Sequence, residues 1–264
     1  MIANLPKYAL WLALALLLWF AVAVFGPKFG LVDWKFALGT MVRSAGPILI
    51  AITALVALAA LVLVLWKGPR GQWWKAALAL AIPAALMAGL LSIANTASSV
   101  PPIHDVATDT ANPPSFSAAT MATREEIGAN PLNDYATPLG ELGAWKDGMS
   151  DSPLAGRSHA QIIAESYPEL QPIPFTMDRS DAMAQVSAAM SDIGLSNIRS
   201  DVQAGTVEGT AETFAFGFKD DVVARVGDGV IALRSVSRVG LSDLGYNAAR
   251  LRELSAAIEA RLGE

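Results

Sequence analysis

Three long stretches without a charged residue limit what this chain can fold into. Residues 8–25, 46–66 and 76–95 contain no Asp, Glu, Lys or Arg, and almost all of their side chains are apolar. A bilayer core about 30 Å thick is crossed by roughly 20 helical residues, so each stretch is long enough to span a membrane. Because backbone groups in lipid must hydrogen-bond within their own segment, we expect three transmembrane helices within residues 1–95.

The first stretch has a second interpretation, a cleaved signal peptide. Lys7 precedes a short apolar run, and Ala21-Val22-Ala23 has the small residues of a cleavage site. However, the apolar stretch continues through Phe25, and a single lysine is a weak basic region. These features favour a retained span.

Charge divides the chain at the end of the third stretch. Residues 1–95 hold seven basic residues and one acidic residue, a net charge of +6, whereas the remainder holds 12 basic and 23 acidic residues, a net charge of −11. A domain with that negative charge repels phosphate backbones, which argues against nucleic acid as a partner. The chain has no cysteine, so disulfides, thiol catalysis and thiolate metal sites are excluded.

Basic residues in the short connections predict the orientation of the spans. One side of the membrane receives four of them and the other receives three, and residues 96–123 contain no Lys or Arg. This asymmetry favours a cytoplasmic N-terminus and an extracytoplasmic C-terminal domain, as in a multi-pass protein of a bacterial inner membrane with a periplasmic domain. The two sets are Lys7, Lys67, Arg70 and Lys75 on the cytoplasmic side, and Lys28, Lys35 and Arg43 on the other.

The region after the spans changes composition twice. Residues 96–157 are rich in Pro, Ser and Thr without a periodic apolar pattern, which predicts an extended linker. Residues 158–264 show helical and strand periodicity, beginning with Ser158 and Gln161 at the spacing of a capping box. The pattern predicts two helices, about four antiparallel strands and a closing helix that begins at Ser242. Helices packed on such a sheet make an α+β domain.

Two features of the predicted strands bear on function. Phe214, Phe216 and Phe218 alternate, which suits one buried face of a strand. Residues 221–226 and 230–236 flank Gly227-Asp228-Gly229, which predicts a hairpin with a three-residue loop.

The same region carries a family resemblance. The segments FGFKDDVVARV (216–226), RSVSRVGLSDLG (234–245) and NAAR (247–250) follow one another, and IHDVATD (103–109), Pro113-Pro114 and Tyr167-Pro168 lie upstream. Together they resemble a bacterial family called domain of unknown function 1499, over roughly residues 101–262. The resemblance implies hydrophobic helices ahead of the domain, as in some members. It implies no activity, cofactor or catalytic residue.

One polar cluster is the candidate binding site. With a three-residue loop, Asp220 lies opposite Val236, and Arg234 and Arg238 are its diagonal neighbours on the same face. Asp221 then lies on the other face. Either the cluster binds a small anionic or hydroxylated ligand, or it is an internal salt-bridge network, and the second interpretation is favoured. The candidate residues are Asp220, Asp221, Arg234, Arg238 and Ser242.

The search for other chemistry finds little. The chain has no Gly-x-Ser-x-Gly motif, and its two histidines, His104 and His159, lie far apart in sequence. His159 beside Ser158 is typical of a first helical turn, and His104 has too few soft ligands near it for a metal site. We therefore predict no catalytic, cofactor-binding or metal-binding residue.

Two functions follow as hypotheses. The first is a membrane-anchored extracytoplasmic binding or accessory module, whose partners are the lipid bilayer and another membrane protein of an envelope assembly. The alternative is an enzyme, a hydrolase or isomerase that acts on a small polar or anionic substrate through Asp220, Asp221 and the arginines. A transporter component is disfavoured, because the three spans contain no charge.

Overall fold

The computed structural model describes residues 4–143, 145–146, 148–149 and 152–263. The chain divides into two compact units. The first comprises Met1–Thr96 together with Thr213–Gly217, and the second comprises Ala97–Glu212 together with Phe218–Glu264.

The first unit contains the three predicted helices, and all are long and apolar enough to cross a membrane. Helix α1 is Leu5–Phe25, helix α2 is Gly46–Lys67 and helix α3 is Trp73–Ser99. A π-helical segment, Phe36–Ala45, runs directly into α2. The prediction of three membrane-length helices before the domain is confirmed.

Small side chains form part of the contact between these helices. Buried alanines from all three helices pack in one cluster, which lets the backbones approach closely, as is usual for helices in lipid. Many large apolar side chains point outward, among them Leu18, Leu55 and Leu91. The cluster contains Ala9, Ala13, Ala57, Ala60, Ala76 and Ala79.

The second unit is an α+β domain with one antiparallel sheet, as predicted. The sheet has six strands rather than about four, in the order β1-β6-β5-β4-β3, and β2 also pairs with β6. The two unpredicted strands, β1 and β2, have three and two residues, too few for a periodic pattern. The elements are β1 Asp105–Ala107, α4 Ala118–Glu126, α5 His159–Ser166, β2 Ile173–Pro174, α6 Arg179–Asp192, β3 Ser196–Asp201, β4 Thr206–Glu212, β5 Lys219–Gly227, β6 Val230–Ser237 and α7 Tyr246–Leu262.

The main core lies between one face of the sheet and two helices. Val222 and Leu233 from the sheet pack in one cluster with Val186 of α6 and Leu254 of α7, and all four are fully buried. The capping box predicted at Ser158 forms at the start of α5.

The stretch predicted as an extended linker, residues 96–157, contributes to the domain. It supplies β1 at the sheet edge, and it supplies α4, which Ser117 caps by accepting the Thr120 N–H. Ile103, Leu139 and Trp145 are buried in the main core. The sequence carries little local signal of this contribution, because the apolar residues that anchor the stretch are widely spaced among Pro, Ser and Thr.

The hairpin between β5 and β6 differs from the prediction by one residue. Gly227 pairs with Val230, so the turn contains only Asp228 and Gly229, with φ of 53° and 74°. Positive φ at both positions is the requirement of a type I′ turn, and Asp-Gly satisfies it. The shift places Asp221, not Asp220, on the face of Arg234, because alternate strand residues point to opposite faces.

Two further expectations are corrected. Helix α7 begins at Tyr246, with Gly245 as its N-cap in the left-handed region, so Ser242 precedes the helix by a turn. The three alternating phenylalanines do not form a buried strand face. Phe214 and Phe216 lie in the connection between β4 and β5, and Phe214 is 80% exposed.

Candidate functional site

The five candidate residues separate into four groups in the structure. Asp221 and Arg238 contact each other, whereas Arg234 pairs with Asp105 elsewhere on the same sheet face. Asp220 lies on the opposite face and pairs with Arg250. The fifth, Ser242, accepts a hydrogen bond from the Leu244 N–H in the turn before α7.

Asp221 is shared by two arginines. Arg124 Nη1 lies 2.6 Å from Asp221 Oδ2, and Arg238 Nη2 lies 2.6 Å from Asp221 Oδ1. Arg124 also donates to the Asn130 carbonyl at 2.7 Å. The side chains of Arg124 and Asp221 are each only 3% exposed, while that of Arg238 is 15% exposed. Arg238 is therefore the member of this trio that a ligand would reach first.

Asp105 and Arg234 form a two-pronged ion pair. Arg234 Nε and Nη2 donate to the two carboxylate oxygens at 2.9 and 2.7 Å, and Tyr135 Oη donates to the same carboxylate at 2.5 Å. The Arg234 guanidinium also lies 5.1 Å from the centre of the Tyr135 ring. Burial alone would raise the pKa of Asp105, but the hydrogen bonds and charge of Arg234 outweigh it and hold the pKa below its usual value.

Asn133 joins this ion pair to two buried histidines. Its backbone N–H donates to Asp105 at 3.0 Å, and its side-chain nitrogen lies 3.4 Å from His104 Nε2 and 3.1 Å from His159 Nε2. Trp145 stacks on His104 and meets His159 edge-on. An amide nitrogen only donates, so Asn133 can hydrogen-bond to an Nε2 atom when that atom carries no proton, which is the case in the neutral tautomer with the proton on Nδ1.

The environment of the histidines opposes their protonation. Both side chains are fully buried, and neither Nδ1 atom has a hydrogen-bond partner among the described residues. Burial lowers the pKa of His159 to about 4, against the opposing charge of Asp105, and it lowers the pKa of His104 as well.

The opposite face of the sheet carries the Asp220 group. Arg250 Nη2 lies 2.7 Å from Asp220, and Arg250 Nη1 donates to Ser235 and to Asn247. The adjacent Asp243 accepts the N–H groups of Gly245 and Asn247 at 2.7 and 2.9 Å. The backbone donors at the N-terminus of α7 are thus occupied by a carboxylate of the chain. Burial, with a smaller effect of Asp220, raises the pKa of Asp243 to about 6.

These contacts describe an internal network of ion pairs. Asp105, Asp220 and Asp221 each contact a guanidinium of the same domain, so an anionic ligand would have to compete with a carboxylate already in place. No group of three or more potential metal ligands occurs among the residues that the structure describes. The geometry favours the salt-bridge interpretation over the ligand-binding one.

The sequence prediction missed three of the charged partners. Asp105 and Arg124 lie in the stretch taken for a linker, and Arg250 lies on a helix whose contact with the sheet depends on the register. The only available signal was that a buried arginine needs a carboxylate, and that rule does not say which one.

Fold and site together define a class: a protein with three membrane-length helices and a two-layer α+β domain whose buried charges are paired. The chain belongs to the family described as Protein of unknown function (DUF1499), whose model matches residues 105–258. The match begins at Asp105 and includes every ion pair described above. No curated protein and no solved structure matches the chain.

We expect Asp221→Ala to lower the free energy of unfolding of a fragment of residues 101–264 by roughly 3–5 kcal/mol, because removal of one partner leaves buried charge unpaired. The matched control is Glu169→Ala, which breaks an exposed pair with Arg252 and should change stability by at most about 1 kcal/mol. Urea unfolding monitored by circular dichroism measures both, relative to a cooperative transition of the unsubstituted fragment. Equal, small effects of the two substitutions would contradict the network.

Stability should also depend on pH through His159. Its pKa is about 4 in the folded chain and 6.5 as the ordinary value. Between these values the unfolded state binds more protons, so the free energy of unfolding falls as pH decreases from 6.5 to 4, by up to ~3 kcal/mol for this one group. Asp243 acts in the opposite sense, because its pKa is raised from 3.8 to about 6 and acidification favours its folded form.

Two substitutions separate the contributions of these groups to the pH dependence. His159→Gln should flatten the decline of stability between pH 6.5 and 4, and Asp243→Asn should make it steeper. Urea unfolding of the fragment at several pH values gives the slopes. If both variants keep the unsubstituted slope, neither group titrates as the structure indicates.

Proposed function

We propose that this protein is a membrane-anchored, extracytoplasmic binding or accessory module that acts as a subunit of a membrane or envelope assembly. The observation that carries the proposal is the large apolar surface of the three helices, joined in one chain to a domain whose buried charges are paired internally. Such a domain presents its outer surface, rather than an open polar site, to other molecules.

Helix α3 gives the strongest support for a partner in the membrane. Only Ala76, Ala79 and Pro83 of its 27 residues are buried, and Leu91 and Ile93 are more than half exposed. Lipid tails or the helices of another membrane protein would cover this surface. A helix with this much exposed apolar surface suits a subunit that packs against a second membrane protein.

The distribution of basic residues supports the orientation. Lys67, Arg70 and Lys75 lie in the short connection between α2 and α3, whereas residues 96–123 contain no Lys or Arg. Positively charged connections remain in the cytoplasm. With three crossings, the domain after α3 is then outside the cytoplasm.

The orientation is tested by reporter fusions after Glu264. We expect a reporter that is active only in the periplasm to be active there, and a reporter that requires the cytoplasm to be inactive. Moving the same reporters to Gly71, in the connection between α2 and α3, provides the control and should reverse the result. The opposite pattern at both positions would invert the proposed topology.

Membership of an assembly is tested by purification of the full chain in mild detergent, followed by identification of whatever co-purifies. We expect a membrane protein in fixed stoichiometry. A chain with Leu91→Ala and Ile93→Ala should lose that partner if α3 forms the contact. A bound metabolite without a protein partner would instead favour the alternative, an enzyme for a small polar or anionic substrate.

A further inference from the structure

The connection between β4 and β5, Thr213–Gly217, belongs to the unit of the apolar helices. The Phe214 ring packs edge-on against Phe25, the last residue of α1, with ring centroids 5.4 Å apart. Yet Phe214 remains 80% exposed. Apart from Phe25, the residues that the structure describes leave most of this large apolar side chain uncovered.

The backbone of this connection is fixed at the end of α1. The Phe216 N–H donates to the Val24 carbonyl at 2.8 Å. The Phe216 side chain packs against a cluster that contains Phe20, Ala23 and Ile50. The position of Phe214 is therefore set by the helix and not by a freely moving loop.

Gly217 allows the close approach. Its φ is +66°, and a Cβ atom at this position would lie 2.9 Å from Lys28 Cα. A residue with a side chain would meet backbone there and would also be strained by the positive φ. The connection can therefore lie against the segment after α1 only with glycine at this position.

The length of α1 indicates the depth in a bilayer at which Phe214 lies. Its 21 residues at about 1.5 Å each span roughly the 30 Å of a bilayer core. Phe25 then lies where the core meets the headgroups. Phe29 and Leu31, which follow it, are 70% and 76% exposed, and Lys28 stands between Phe25 and Phe29. Aromatic and apolar residues mixed with basic ones are typical of the membrane interface.

We infer that Thr213–Gly217 is a membrane-contact segment, and that Phe214 inserts into the lipid interface beside the end of α1. The inference rests on the proposed membrane function. The occupant is lipid because Phe214 packs on the last residue of a helix whose own large apolar side chains are exposed, and because the level of Phe25 is that of the headgroup boundary. Phe29 and Leu31, soon after α1, are exposed apolar side chains as well.

The absence of cysteine makes a direct test simple. Phe214→Cys in the full chain is labelled with an environment-sensitive fluorophore and reconstituted into vesicles of phosphatidylethanolamine and phosphatidylglycerol. Lipids with a nitroxide near the headgroup and aqueous iodide are the two quenchers. Val202→Cys, exposed in the turn between β3 and β4, is the water reference, and Leu55→Cys, exposed in α2, is the lipid reference.

The probe at position 214 should be quenched by the lipid nitroxide and should be several-fold less accessible to iodide than the probe at position 202. Iodide quenching equal to that at position 202 would overturn the inference. Protection from iodide without lipid quenching would overturn it too, because a protein would then cover the site. If the probe at position 55 also fails to sense lipid, the proposed membrane function itself is wrong.

A second variant tests whether the contact with α1 positions Phe214. Gly217→Val in the labelled chain should displace the connection from Lys28 and increase iodide access at position 214 several-fold. Gly71→Val, at a glycine with open space around it, is the matched control and should leave access unchanged. Unchanged lipid quenching in the Gly217→Val chain would show that docking on α1 is not what places Phe214, and would overturn that part of the inference.

Discussion

Ion pairs on one face of the sheet determine how α4 and β1 pack onto the rest of the domain. Asp221 and Asp105 are removed from water, and an ionised carboxylate there is stable only beside a cation. Arg124 and Arg234 provide those cations, and the first of them comes from α4, outside the sheet. The pairs therefore fix α4 and β1 to the strands with a specificity that apolar contacts do not have.

This requirement explains how α4 is held on its face of the sheet. The apolar cluster on this face is small, with Phe116 packed on Val223 and Val236. Hydrophobic burial of that size is weak on its own. The ion pairs and the capped start of α4 supply the remaining positional constraints. Glu208, which accepts from Ser117 and Thr120, adds a further polar contact between the sheet and the start of α4.

The sequence predicted the elements with strong periodicity and missed those specified by tertiary contact. Three charge-free stretches, the capping box and the strand pairs all have local signals, and all appear in the structure. The pairing within the candidate site has no such local signal. A difference of one residue in the length of the β5–β6 turn decides which face of the sheet Asp220 and Asp221 occupy. The predicted hairpin had a three-residue loop, and the preference of an Asp-Gly pair for positive φ was the signal that could have selected the two-residue turn instead.

The two buried histidines are linked to the same ion pair through Asn133. Asn133 donates its backbone N–H to the ionised Asp105 and directs its amide nitrogen to His104 and His159. Burial keeps both rings neutral, and it outweighs the attraction of the nearby Asp105 carboxylate. The buried Trp145, which packs on both rings, helps to exclude the water that would stabilise a charged ring.

The two units differ in how they treat ionisable side chains. The helices avoid ionisable groups in their apolar stretches and pack through alanine, whereas the domain buries carboxylates and arginines in pairs. Thr213–Gly217 departs from this division, because it is encoded between two strands of the sheet and yet presents an exposed phenylalanine. An exposed phenylalanine is unfavourable on a domain surface in water. It is not unfavourable beside the last turn of an apolar helix. The inferred membrane contact of this connection therefore accounts for its composition.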